Sequence, residues 1–162
     1  PAFALADPQR ATLAALADTI MPATDTPGAL AVGVPAQIEA MMRDWASAAT
    51  RAEMIAGLGR IEVLGGGFSA LSATARHDLL NPYDSDALTV LRPAGSTMVE
   101  RMAGPLRRDP GYSILRELTL VLYYYSEVGL TQELTYAPIP GRWDPSVPLT
   151  PTTRANGGFG NY

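Results

Sequence analysis

The feature that most constrains this fold is one segment, LRELTLVLYYYSEVGLTQELTYAPIPGRWDPSVPL, which covers residues 115–149. Its first part has the spacing of a helix, at about 100° per residue, and apolar side chains fall on both sides of that helix. One stripe would face the chain's own core: Leu115, Leu118, Leu122 and Tyr125. The opposite side is also apolar: Leu120, Val121 and Tyr124. Such a helix has to be covered on both faces, either by its own domain or by another chain.

The second part of the segment and the residues after it are rich in proline: Pro138, Pro140, Pro145, Pro148 and Pro151. Proline has no backbone N–H, so it is excluded from the interior of helices and of central strands. The sequence therefore predicts an extended C-terminal arm over residues 137–162. A long ordered arm without secondary structure usually lies against another surface. Helix and arm together indicate a surface made for another protein.

Two helices are predicted in the first 45 residues. Asp7 as N-cap and Pro8 in the first turn open the first helix, and Pro22 closes it. A turn-rich connector, PATDTPGALAVGVP, follows and runs to Pro35, which begins the second helix. The apolar stripe predicted for the second helix is Ile38, Met41, Met42 and Trp45.

A third helix is predicted from the capping-box spacing of Thr50 and Glu53, and the glycine triplet at residues 65–67 ends it. Its apolar residues are Met54, Leu58, Ile61 and Leu64. Further helices are predicted over residues 72–80 (ended by Asn81-Pro82), 97–106 and 112–126. The only strand signal is weak and lies at residues 134–136.

These patterns predict an all-α fold, an irregular multi-helix domain with an extended proline-rich C-terminal arm. At 162 residues the chain has the length of a single domain. We expect a helical body over residues 7–136 and the arm over residues 137–162.

Composition excludes several classes of protein. The formal net charge is −4 and the isoelectric point is near 4.9, whereas nucleic-acid binding requires a concentrated basic surface. The absence of cysteine excludes disulfides, thiolate zinc sites, thioether-linked haem and cysteine-held iron–sulfur clusters. No uncharged run reaches the roughly 18 residues of a membrane span, so no transmembrane segment is expected.

Few residues are candidates for chemistry. His77 is the only histidine, and the glycine triplet lacks the frame of a phosphate-binding loop. Asp84 and Asp86 lack the rest of a calcium-binding loop, and Glu127 has no second catalytic group near it in sequence. We therefore assign no catalytic, cofactor-binding or metal-binding residue. A free-standing enzyme with Glu127 or His77 as acid–base remains an alternative, as does a self-associating structural protein.

The three consecutive tyrosines at residues 123–125 favour an interface. Three consecutive positions sweep about 200° of a helix, so the three side chains cannot all face one core. Tyrosine is also enriched at interfaces, because it combines a large apolar body with a polar tip. The alternative is a central helix whose hydroxyl groups are all bonded internally. The residues predicted to contact a partner are Leu120, Tyr123, Tyr124, Pro138, Pro140 and Trp143.

The start of the chain permits two interpretations. Ala4-Leu5-Ala6 has the A-x-A pattern of a signal-peptide cleavage region, and the alternative is an ordinary chain end.

Two blocks of the sequence resemble a known family. LADTIMPATDTPGALAVGVPAQIE, residues 16–39, resembles the N-terminal motif of the gluconate 2-dehydrogenase subunit 3 family. The segment that begins at Leu115 is similar to the family's second motif, including the Ser126-Glu127-x-Gly129 step and the Pro140-Gly141 turn. The resemblance extends over residues 7–62 and 112–151 and is loose over residues 69–110.

The resemblance implies a non-catalytic small accessory subunit of a periplasmic, FAD-dependent sugar or polyol dehydrogenase of the glucose–methanol–choline class. FAD would reside in a large flavoprotein partner, and a cytochrome c subunit is a further candidate partner. The small subunit would support folding, stability and twin-arginine co-export of the flavoprotein, and this chain would be its mature form. The resemblance gives the motif residues structural roles: Asp25 and Pro27 shape the connector, and Glu127 and Gly129 end the long helix.

Overall fold

The computed structural model describes residues 3–91, 106–135, 146 and 148–155. This part of the chain forms an all-α fold, as the sequence predicts. Its helices are α1 (Asp7–Ile20), α2 (Val34–Asp44), α3 (Ala48–Glu62), α4 (Ala73–Ala87) and α5 (Pro110–Tyr124). None of the described helices combines the length and apolar character needed to cross a bilayer.

The starts of the helices differ slightly from the prediction. Asp7 is the first helical residue of α1 and not its N-cap; Ala6 takes that position, and its N–H donates to Gln9 Oε1 at 2.9 Å. Helix α3 begins before the predicted capping box, because Ser47 is its N-cap and accepts from the Thr50 N–H at 3.0 Å. The glycine triplet ends the α3 region as predicted. Its φ angles of 61°, 82° and 145° favour glycine over any residue with a side chain.

Helix α4 does not end at Asn81-Pro82, so that prediction is wrong. Its N-cap is Ser72, and the helix continues through Pro82 to Ala87. A proline inside a helix costs about 3 kcal/mol because a backbone hydrogen bond is lost. Contacts beyond Pro82 offset this cost: Tyr83 packs against the core, and Ala87 is buried.

Backbone hydrogen bonds join the chain on either side of residues 92–105. The Leu91 N–H donates to the Leu106 carbonyl at 2.8 Å, and the Arg108 N–H donates to the Thr89 carbonyl at 3.1 Å. The helix predicted over residues 97–106 lies outside the described residues except for Leu106. The weak strand signal covers residues 134–136, of which residues 134 and 135 are described and form no strand. A π-helical turn over Gly129–Glu133 comes directly before them.

The core lies where α5 crosses α1, α2 and α3, and α5 packs most extensively against α3. Two glycines allow these helices to approach closely: a Cβ on Gly57 would lie 2.9 Å from the backbone of Gly111. The predicted core residues of α3 are buried, namely Met54, Leu58 and Ile61. The prediction that Trp45 belongs to the apolar stripe of α2 is wrong. Helix α2 ends before Trp45, and the side chain of Trp45 is 85% exposed.

The residues before α1 pack onto the body. Leu5 is a core residue, and its N–H donates to Glu39 Oε1 at 2.9 Å. Phe3 lies under the Arg51 guanidinium, 4.5 Å from ring centroid to Cζ. The Ala4-Leu5-Ala6 pattern is therefore part of the folded domain.

Candidate partner interface

The buried side of α5 agrees only in part with the core stripe that the sequence predicts. Its buried residues are Gly111, Tyr112, Leu115, Thr119 and Tyr123. Leu115 was predicted there, but Tyr125 was also placed in the core stripe and is 60% exposed. The core stripe is therefore rotated towards Thr119 and Tyr123, because α1, α2 and α3 approach the helix from that side.

Tyr123 is a core residue, whereas the sequence predicts it as a partner contact. Its side chain is 1% exposed, and its hydroxyl donates to the Pro27 carbonyl at 2.9 Å. Its ring also packs edge-on against Tyr124, with centroids 5.3 Å apart. A side chain closed in this way by the chain's own connector offers no surface to another protein.

Leu120 and Tyr124, the other predicted interface residues on the helix, are half-buried. Tyr124 packs against the core. Burial raises the pKa of its hydroxyl, and the charges of Glu133 and Tyr123 add to this effect. The side of the helix opposite Leu115 is therefore partly covered by the chain itself, although both residues keep some accessible surface.

A different stripe of α5 carries the exposed apolar surface. Val121 is 42% exposed and Tyr125 is 60% exposed. They continue a line that starts with Ile114 and Leu118, which are half-buried and pack against the core. At about 100° per residue these four positions lie within about 60° of one another. We call Ile114, Leu118, Val121 and Tyr125 the apolar ridge.

The end of α5 joins the connector between α1 and α2. The Thr26 hydroxyl donates to Glu133 Oε2 at 2.7 Å, and Thr26 is 6% exposed. At the end of the helix, the Ser126 hydroxyl donates to the Tyr123 carbonyl at 2.6 Å and accepts from the Gly129 N–H at 3.1 Å. The two blocks that carry the family resemblance are thus adjacent in space.

Part of the C-terminal arm returns to this junction. The Thr135 N–H donates to the Ala155 carbonyl at 2.8 Å, and Arg154 forms an ion pair with Asp25 at 3.0 Å. Residues 148–155 are otherwise exposed, and Leu149 is 88% exposed. The predicted interface residues Pro138, Pro140 and Trp143 lie outside the described residues.

Asp109 connects three helices at the other end of α5. It is the N-cap of α5, accepts from the Tyr112 N–H at 2.9 Å, and is paired with Arg60 of α3 and the Tyr83 hydroxyl of α4. Burial alone would raise the pKa of Asp109, but the hydrogen bonds from Arg60, Tyr112 and Tyr83 outweigh it and hold the pKa below its ordinary value. Burial and the Asp109 carboxylate raise the pKa of Tyr83 to about 12.

An open cleft of about 170 Å³ lies between α1, α4 and α5. Its polar lining includes His77 and Asp84, and Asp84 already accepts from the Tyr112 hydroxyl at 2.6 Å and pairs with Arg116 at 2.7 Å. His77 is 70% exposed on its side chain, with Asp78 at 3.7 Å. The groups in the cleft are paired with each other and are not arranged as a nucleophile and a base.

The two residues considered for acid–base chemistry are not brought together at this cleft. Glu127 follows α5, is exposed, and does not line the cleft that contains His77. Among the residues that the structure describes, no three His, Asp or Glu side chains are placed to hold a metal ion.

Sequence reasoning places Val121 on the side opposite the core stripe but assigns Tyr125 to the core stripe, so it misses that these two residues form the exposed pair of the long helix. A signal was present, because Ile114, Leu118, Val121 and Tyr125 are spaced at i, i+4, i+7 and i+11. This stripe overlaps the one that begins at Leu115, and the periodicity alone does not decide which of the two faces solvent.

In a comparison with protein-family models, residues 7–141 match the family described as Gluconate 2-dehydrogenase subunit 3. The match covers most of the chain, includes both resembling blocks up to residue 141, and confirms the resemblance. Comparisons with curated proteins and with solved structures each gave no match.

Proposed function

Because this chain belongs to the gluconate 2-dehydrogenase subunit 3 family, we propose that it is a non-catalytic accessory subunit of a flavin-dependent dehydrogenase complex. In this proposal a large partner chain of the glucose–methanol–choline class holds FAD and oxidises a sugar or polyol. A cytochrome c subunit would accept the electrons where the complex includes one.

The single observation that carries the proposal is the family match over residues 7–141. The arrangement of side chains supports it. Buried polar groups join separate elements of the fold: Asp109 bonds to α3 and α4, and Thr26 in the connector bonds to Glu133 after α5. The apolar ridge of α5 meanwhile leaves large side chains at the surface. A chain built in this way is suited to stabilising a partner.

The proposal also includes the cellular localisation of the complex. We propose that the chain is periplasmic and supports folding, stability and twin-arginine co-export of the flavoprotein.

The test is a dye-reduction assay with a panel of sugars and polyols, on the purified chain with and without FAD. The isolated chain is expected to be colourless and inactive, and co-production with the flavoprotein chain is expected to yield a yellow, active complex. The control is the flavoprotein chain alone, which we expect in lower soluble yield.

Turnover by the isolated chain would instead favour a free-standing enzyme, and His77→Ala and Glu127→Gln would then identify the acid–base group. A stable assembly of this chain with itself and no binding of the flavoprotein would favour the self-associating structural protein.

A further inference from the structure

We propose that the apolar ridge of α5 is the anchor by which this chain docks on the large flavoprotein subunit, and that the partner surface is apolar and bordered by arginine or lysine. The inference rests on the proposed function and adds the position of the contact and the chemistry of its occupant. It moves the predicted interface by about a quarter turn of the helix, from Leu120 and Tyr124 to Val121 and Tyr125.

The exposure of the ridge is the first argument. Val121 and Tyr125 are exposed by 42% and 60%, although Leu118 and Ile114 on the same line pack against the core. The inner edge of the ridge therefore packs against the core, while much of the surface of Val121 and Tyr125 stays accessible. Apolar side chains at i, i+4, i+7 and i+11 fit the groove between two helices or beside one helix of a partner.

The charge beside the ridge indicates the chemistry of the partner. Glu117 lies one turn before Val121 and is exposed, and within the described ranges its carboxylate has no ion pair. The only arginine on α5, Arg116, lies on the other side of the helix and is paired with Asp84 at 2.7 Å. An uncompensated carboxylate at the rim of an apolar strip is complemented by a cationic rim on the partner.

Charge argues against a second copy of this chain as the occupant, and area shows that the ridge alone is not a complete interface. The exposed part of the ridge offers on the order of 200–300 Å², whereas a stable interface buries roughly 1,200–2,000 Å² in total. The ridge must therefore be the centre of a larger contact that includes neighbouring surface. A second copy would bring a second chain of net charge −4 and a second Glu117 to the same strip.

The experiment measures the affinity of this chain for the flavoprotein chain of its complex, and the melting temperature of each variant alone. Val121→Ala combined with Tyr125→Ala is expected to weaken binding by about 30-fold or more. Val121→Arg, at a position that is already 42% exposed, is a second variant that should do the same without creating a cavity.

Matched controls are available on the same chain. Trp45→Ala and Val63→Ala remove apolar side chains that are 85% and 73% exposed, and each is expected to leave the affinity within about threefold. Leu120→Ala combined with Tyr124→Ala tests the face that the sequence favoured. Glu117→Arg is expected to weaken binding at low ionic strength, and high salt should reduce the difference.

The outcomes separate the two proposals. If the wild-type chain does not bind the flavoprotein, the proposed function fails. If it binds and the ridge variants bind equally well, the ridge inference is overturned while the proposed function stands. Self-association of the isolated chain that Val121→Arg abolishes, with flavoprotein binding unchanged, would assign the ridge to a second copy and would also overturn the inference.

Discussion

At the scale of single residues, Asp109 shows how a carboxylate can hold helices together in a domain with no disulfides. Its side chain is 6% exposed, and it accepts hydrogen bonds from Arg60, from the Tyr83 hydroxyl and from the Tyr112 N–H. Each helix that meets at this point therefore contributes a donor. Replacing the carboxylate by an amide would remove the charge that pairs with Arg60 and one of the two acceptor oxygens, so that these donors could not all be satisfied.

The prediction at this scale concerns acid stability. The pKa of Asp109 is held below its ordinary value in the folded chain, whereas in the unfolded chain it is about 3.9. Between these values the unfolded state binds a proton that the folded state does not. The free energy of unfolding should therefore fall as the pH falls below about 5. Asp109→Asn should cost about 2–4 kcal/mol at pH 7 and flatten this dependence, as measured by urea unfolding at several pH values.

A matched control for Asp109 is Asp86→Asn. The Asp86–Arg108 pair is 2.7 Å long but more than half exposed on both sides, so water screens it and its loss should change stability little. If Asp86→Asn and Asp109→Asn altered the pH profile equally, the convergence of three helices on Asp109 would have no special role.

At the scale of elements, the contact between α3 and α5 depends on the absence of side chains. A Cβ on Gly57 would lie 2.9 Å from the carbonyl carbon of Gly111 and 2.9 Å from the Tyr112 nitrogen. Backbone atoms cannot move aside as a flexible side chain would. The helices could therefore accept a larger residue at this crossing only by moving apart.

Gly57→Ala is accordingly expected to lower the free energy of unfolding by about 2 kcal/mol, because overpacking forces the backbones apart. Gly59, in the same helix, is the control: a Cβ there would meet nothing within 4 Å. Gly59→Ala should leave stability unchanged or raise it by up to about 1 kcal/mol, because alanine favours the helix. Urea unfolding of both variants measures the difference, and equal effects would contradict the close crossing.

At the scale of the whole molecule, distant parts of the chain meet at one end of α5. The connector contributes Thr26 and Pro27, and the arm contributes Arg154. The end of α5 contributes Tyr123, and the π-helical turn after it contributes Glu133. The bonds made by the connector and the helix are largely buried, whereas the Arg154–Asp25 pair is exposed, with side-chain exposures of 39% and 75%. The described part of the arm is thus attached more weakly than the elements beneath it.

Deletion of residues 137–162 should therefore lower the melting temperature of the isolated chain by no more than about 4 °C, because the described part of the arm, residues 146 and 148–155, is exposed and holds to the body through the solvent-exposed Arg154–Asp25 pair. Its main effect is expected in the complex, since Pro138, Pro140 and Trp143 are predicted to contact the partner. Thermal melting and flavoprotein binding of the truncated chain test this. A loss of stability with unchanged binding would assign the arm to the chain's own fold.

The spacing of apolar residues and chain breakers along the sequence predicts several helix boundaries and core residues of this protein. The sequence predicts the start of α1 to within one residue, and it predicts the buried residues Met54, Leu58 and Ile61 of α3 and the stop at the glycine triplet. These features follow from the sequence because helical period and chain breakers act over a few residues. The family also followed from two blocks of sequence, and the family match confirms it.

Only the tertiary structure determines where α4 ends and which apolar stripe of the long helix is buried. Proline alone predicts that α4 stops at residue 81, but packing of Tyr83 and Ala87 carries the helix past Pro82. The long helix has two overlapping apolar stripes, and its own sequence does not decide which one is covered. Tyr123 is buried because its hydroxyl meets the Pro27 carbonyl, 96 residues away in the chain. Burial depends on what distant segments place against a face, and no local pattern contains that information.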